Sequence, residues 1–191
     1  MPDSLEPDGI LAPDAQFTLA ELCAMELDGV LVRVFGKAFR SAAEPETPAL
    51  RAAALAHQVP ASMAARAVLG RGSAAWIHGC APPPAAICLL LDRRHRTTSL
   101  PPHSGCTVHE VHLGTYDVEQ LGGARVTCAL RTAVDVAMHE PPAAAVPVLL
   151  ALSAAPELQC PLGRINAALA TAHHIPGRRR ALALLRRLLE P

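Results

Sequence analysis

The sequence predicts an α+β fold: a small helix-and-hairpin module, then a mixed α/β domain with a small sheet and a helical C-terminal third. Three observations predict it. A capped helical pattern near the N-terminus gives way to a β-rich run broken by Gly turns. The middle of the chain holds one fully apolar run and one alternating run, both of strand length. Beyond residue 129, four apolar-periodic segments are separated by proline breaks.

Residues 1–16, rich in Pro, Asp and Gly, are expected to form a loose arm. A helix is expected over 17–27, because Thr18 and Glu21 have the spacing of a capping box and Leu19, Leu22 and Met25 follow at helical intervals. Asp28-Gly29 turns the chain into the β-rich run 30–35, and Gly36-Lys37 turns it back. A helix followed by a tight hairpin with basic residues at its tip resembles the second half of a winged helix, so residues 17–44 read as a truncated winged-helix-like module. Its wing would carry Arg33, Lys37 and Arg40. A plain hairpin packed on the next helix fits the same residues.

Residues 45–191 form the mixed domain. Thr47 as cap and Pro48 at the first helical position open a helix running to about residue 57. A second helix is expected over 62–69. A short third one is expected over 73–78, capped by Ser73 and ended by Gly79. After Pro82-Pro-Pro, the apolar run 86–91 predicts a buried strand, followed by a basic loop with Arg93, Arg94 and Arg96. Residues 106–113 and 116–120 read as further strands. The stretch from Leu121 to Ala137 then predicts a Gly122-Gly123 turn, a strand ending at Val126, and a helix capped by Thr127. On that helix Leu130, Ala133, Val134 and Ala137 share a face. Arg131 and Asp135, four residues apart, are expected to form a solvated ion pair of a few tenths of a kcal/mol. Helices over 130–139, 143–153, 162–173 and 178–189 complete the chain, the last with an apolar stripe of Leu182, Leu185 and Leu189.

Composition narrows the function. Just over half of the 191 residues are apolar but only five are aromatic, so the core must be built from Ala, Leu and Val. Formal net charge is zero, and no global field draws the chain to nucleic acid. No apolar run is long enough for a membrane span, and the acidic, polar start Met1-Pro-Asp-Ser-Leu-Glu lacks the pattern of a secretory signal. A cytoplasmic location is therefore expected, with the six cysteines reduced and behaving as small apolar residues.

The chemistry-bearing residues argue for binding rather than catalysis. His109 and His112, three apart on a strand, point to opposite faces, and the neighbours His173 and His174 close a helix. The ligand spacings of zinc sites are missing, so no metal and no cofactor are expected. No nucleophile elbow, phosphate-binding Gly loop or His-Glu-x-x-His motif occurs. Lys37 is the sole lysine, so the carboxylate–lysine cluster of a metal-dependent nuclease is absent as well. The chain is not expected to be an enzyme. Arg178, Arg179, Arg180, Arg186 and Arg187 on the last helix fit three roles: phosphate contact, a solvated flank, or a dock for an acidic partner.

Three segments together resemble the AbiEi-type antitoxin family of type IV toxin–antitoxin systems, in its actinobacterial form. They are Gly72-Ser-Ala-Ala-Trp-Ile-His-Gly, the 121–137 block with its Val-Thr and Arg-Thr-x-x-Asp-x-Ala elements, and Gly177-Arg-Arg-Arg-Ala-Leu-Ala-Leu-Leu-Arg. Their order also matches, so the resemblance covers about residues 17–190. It implies an N-terminal winged helix-turn-helix that binds the operon's own promoter DNA, and an α/β antitoxin domain tied to neutralising a toxin protein. Trp76, His78, Arg131, Thr132 and Asp135 fall on the family's hallmark positions, with a structural role implied. The chain departs from the pattern in having a single capped helix before the hairpin, and that helix carries Glu21 and Glu26 but no Arg or Lys. Two readings follow. One is an AbiEi-like antitoxin or transcriptional regulator contacting DNA through Arg33, Lys37, Arg40, Arg93, Arg94 and Arg96. The other is a protein-interaction module of the same fold that has lost DNA recognition and docks a partner protein.

Overall fold

The computed structural model describes residues 9–94, 100–171 and 176–190. Their order is α1 (Leu19–Leu27), β1 (Leu31–Phe35), β2 (Ala38–Ser41), α2 (Pro48–Ala56), α3 (Ala61–Ala64), β3 (Val68–Leu69), α4 (Arg71–Ile77), β4 (Ile87–Asp92), β5 (Cys106–Val111), β6 (Val118–Leu121), β7 (Ala124–Thr127), α5 (Ala129–His139), α6 (Pro142–Ala154), α7 (Leu162–Thr171) and α8 (Arg178–Leu189). The α+β class holds. A two-stranded hairpin, β1–β2, stands apart from a five-stranded mixed sheet of order β5-β4-β3-β7-β6.

The N-terminal module follows its local signals. Thr18 caps α1 through a bond from Glu21 N, and Glu21 returns one from Thr18 N at 2.8 Å, completing the capping box. Leu22 of α1 is buried with Leu31 and Phe39 of the hairpin. The arm expected over 1–16 is held from its described residues onward. Ile10 is fully buried against Ala38 and Leu50, and Leu11 and Phe39 exchange two backbone bonds along the edge of β2. An Ile here removes enough apolar surface from water to offset the ordering of a few residues.

The sheet departs from expectation in its centre. The helix expected over 62–69 is a single turn, Ala61–Ala64, after which Val68 and Leu69 form β3 between antiparallel β4 and parallel β7. Two β-sheet neighbours outweigh the modest helical preference of an Ala-rich run, and Val68 is itself β-branched. The apolar run of β4 is buried on every residue, as its pattern predicts. Alternate side chains divide the sheet into two faces. Leu69, Leu89, Leu91 and Val126 pack toward α2 and α4, with Leu55, Trp76 and Ile77. Val68, Cys88, Leu90 and Leu113 cluster together in a second, smaller apolar group.

Two caps expected from the sequence are not used. Gly70, not Ser73, precedes α4; Ser73 is buried, and its hydroxyl accepts the backbone N–H of Cys88 at 2.9 Å. Thr127 is the last residue of β7, and Cys128 precedes α5. Gly79 does end α4 in the left-handed region, φ +79°. Helices α5 to α8 build the largest core cluster, around Val136, Leu149, Leu152, Ile165, Leu169, Ala181 and Leu185. On α8 the buried pair is Ala181 and Leu185, with Leu182 partly buried, while Leu189 of the expected stripe is nearly half exposed. Among the described residues no single helix is long and apolar enough to cross a membrane.

Candidate functional site

Four of the residues singled out from the sequence, His78, Arg131, Thr132 and Asp135, make their side-chain bonds around the start of α5, next to β7. The carbonyl of Thr127 is the hub. It accepts Nε2–H of His78 at 2.9 Å, which therefore donates from that nitrogen, and the hydroxyl of Thr132 at 3.0 Å. With its proton engaged there, Thr132 Oγ1 is left to accept from Thr127 Oγ1 across 2.7 Å. Trp76 makes its own contacts: its ring lies 5.5 Å from that of Phe35, and its carbonyl accepts Arg51 Nη1 at 3.0 Å.

Arg131 and Asp135 do not form the solvated pair expected from their spacing. The Asp135 side chain is 3% exposed and Arg131 only 16%. Arg131 Nε donates to Asp135 at 2.9 Å, while its Nη1 donates to Asp117 at 2.6 Å and to the carbonyl of His112 at 3.0 Å. Burial pushes the Asp135 carboxyl above the ordinary aspartate range, and Arg131 opposes that rise. The trio thus ties α5 to the loop between β5 and β6, whose Gly114 N–H also donates to Asp117 at 2.8 Å.

The basic residues named from the sequence are scattered, and most are engaged within the chain. Arg33 grips the Glu26 carboxylate through Nε at 3.2 Å and Nη2 at 2.5 Å, and donates to the carbonyl of Gly36 at 2.8 Å. Its guanidinium also lies 4.3 Å from the centre of the Phe39 ring. Arg40 donates to the carbonyls of Ser41 and Glu44. Lys37 stands exposed at the hairpin turn. Arg178 donates to the carbonyls of Leu169 and Ala170 at the end of α7, and Arg180 to those of Met138 and Glu140 at the end of α5. Both act as C-terminal helix caps. Arg179, Arg186 and Arg187 are exposed. Arg96, His173 and His174 lie outside the described residues.

Arg94 belongs to a different arrangement, which the sequence did not single out. It holds the carboxylate of Asp92, a nearly buried residue at the end of β4, through Nε at 3.1 Å and Nη2 at 2.6 Å. These bonds hold the Asp92 carboxyl well below the usual aspartate range. Beside it opens a pocket of about 420 Å³, lined also by Arg66, Arg125, His112, Leu113 and Val118. Arg125 was legible only as the polar position between the buried Ala124 and Val126 of a strand. Arg66 and Arg125 stand 59 residues apart in the chain, and no local spacing joins them. Among the described residues no group of three His, Cys, Asp or Glu side chains is placed to hold a metal ion. Compared with known families and with curated proteins, the chain matches no family model and no curated protein.

Proposed function

We propose that this chain is a non-catalytic binding protein of the AbiEi-like antitoxin and regulator kind, and that it docks an acidic partner protein, a cognate toxin in that setting. One observation carries the choice of partner: Arg33, the wing's central cation, is closed on Glu26 and on its own turn carbonyl. Arg40 is likewise turned onto backbone carbonyls. A module that reads DNA needs cations directed at phosphates and side chains free to reach base edges. Here α1 contributes Glu21 and Glu26 instead. The intrachain bonds of His78 and Thr132 to Thr127, and of Arg131 to Asp135, support a scaffold role for the hallmark residues. The exposed Arg179, Arg186 and Arg187 offer positive charge to a partner along one helix.

The second reading, binding to the promoter DNA of its own gene, draws on the exposed Lys37 and Arg93. A fluorescence-anisotropy titration separates the two. The duplex upstream of the gene and a scrambled duplex are compared at two salt concentrations, alongside co-elution with the product of the adjacent gene. Partner docking predicts equal, weak binding to both duplexes. It also predicts a stable complex that charge reversal at Arg179, Arg186 and Arg187 disrupts. Tighter, salt-sensitive binding to the native duplex would replace it with the autoregulatory reading.

A further inference from the structure

The pocket beside β4 is independent of both readings and points to a small ligand. Among the described residues, the guanidinium groups of Arg66, Arg94 and Arg125 and the carboxylate of Asp92 line it. Those groups come from separate elements: Arg66 precedes β3, Arg94 follows β4, and Arg125 sits in β7. Gathering like charges in one concavity costs free energy that a bound anion recovers. Arg94 is oriented in advance, because its two bonds to Asp92 and a longer one to the carbonyl of Leu113 at 3.5 Å fix the plane of its guanidinium. Arg125 donates to the carbonyl of Arg66 at 3.3 Å, which brings these two segments side by side. Leu113 and Val118 line the same space, so the lining combines cationic and apolar groups. At about 420 Å³ the space exceeds what a bare inorganic anion fills and lies in the range of small-molecule sites.

We propose that this pocket binds a phosphate monoester of mononucleotide size, its phosphate held by Arg66, Arg94 and Arg125 and its organic part set against Leu113 and Val118. A monoester carries close to two negative charges at neutral pH and presents several acceptor oxygens to guanidinium donors. The proposal also assigns a task to Arg131. The wall made by His112, Leu113, Gly114 and Thr115 is the same loop that Arg131 pins through the carbonyl of His112 and through Asp117. Arg131 is then a positioning residue, shaping the pocket without touching its contents.

Isothermal titration calorimetry with AMP as the probe tests this, with inorganic phosphate, adenosine and a short DNA duplex as parallel arms. Expected is saturable one-to-one binding of AMP, weaker binding of phosphate and none of adenosine. Arg125→Gln and Arg66→Gln should each weaken AMP at least about tenfold, whereas Arg164→Gln, exposed on α7, leaves it unchanged. Arg66→Gln carries the test if Arg125→Gln lowers the melting temperature. Absence of AMP binding at millimolar concentration overturns the proposal. So does binding indifferent to Arg66 and Arg125, adenosine binding as well as AMP, or phosphate binding as tightly as AMP. Saturable binding of the duplex alone would overturn it in favour of a nucleic-acid surface.

Discussion

The hydroxyls of Thr127 and Thr132 lie 2.7 Å apart, both residues wholly shut off from solvent. They stand five positions apart, one ending a strand and the other one turn into the following helix. The pair locks the β7–α5 junction, which also receives His78. Thr132→Val keeps the shape but removes both bonds and leaves a buried hydroxyl and half of a carbonyl's partners unmet. A loss of about 1–3 kcal/mol is expected in urea denaturation. Thr132→Ser, which retains the hydroxyl, should recover most of it.

Arg33 closes on Glu26 at the surface, where an ion pair contributes little. Arg33→Ala should lower stability by about 1 kcal/mol or less, the stacked Phe39 ring included. Affinity for any duplex, and its salt dependence, should stay unchanged. A fall in the salt slope by one phosphate contact would return Arg33 to the DNA-binding role expected from the sequence.

Acidification should separate two aspartates. Asp92 has its folded-state value held below the ordinary 3.8 by Arg94, so its stabilisation is present above that pH and is lost as pH falls through it and below. Melting temperatures of the wild type and Asp92→Asn should therefore converge below about pH 4. Asp135 has the opposite sign. Its folded-state value is raised by burial, so its charged form weighs against folding near neutrality and acid relieves that cost. A gap between wild type and Asp92→Asn that persists at low pH would contradict the assigned direction for Asp92.

Two adjacent glycines make the β6–β7 turn, both in the left-handed region, at φ +50° and +75°. A Cβ on Gly122 would lie 2.0 Å from the carbonyl oxygen of Ala49 in α2, whereas one on Gly123 meets nothing within 4 Å. Gly122→Ala is expected to destabilise by roughly 2–4 kcal/mol, and Gly123→Ala by about 1 kcal/mol. Thermal melts of the two variants decide it, and equal costs would mean that α2 yields.

Cys88 and Cys160 have thiols pushed up to about 11 by burial. Their thiolate fraction at mildly alkaline pH is small, so alkylation of the native protein followed by mass spectrometry should find them among the last to react. In urea they should label with the rest. Rapid native labelling of Cys88 would mean that the small cluster with Val68 and Leu90 opens locally.

By itself the sequence determined the parts whose cause is local. Thr18 with Glu21, and Thr47 with Pro48, each start a helix through bonds made within three residues. Gly122-Gly123 turns the chain because both positions need positive φ, although the close approach of Ala49 to Gly122 is tertiary. Residues 178–189 are helical because apolar and charged positions alternate at that period. The tertiary structure alone decided what side chains with a choice of partner do. Val68 and Leu69 are a strand because β4 and β7 flank them. Ser73 is a sheet contact and not a cap because Cys88 N–H lies within its reach. Arg131 is half-buried and paired because Asp117, fourteen residues away, meets it. Arg66 and Arg125 share a pocket across 59 residues. A cap or a turn is satisfied by the nearest backbone, whereas a guanidinium or hydroxyl takes whichever acceptor the folded chain brings within hydrogen-bond distance, and no spacing along the sequence encodes that distance.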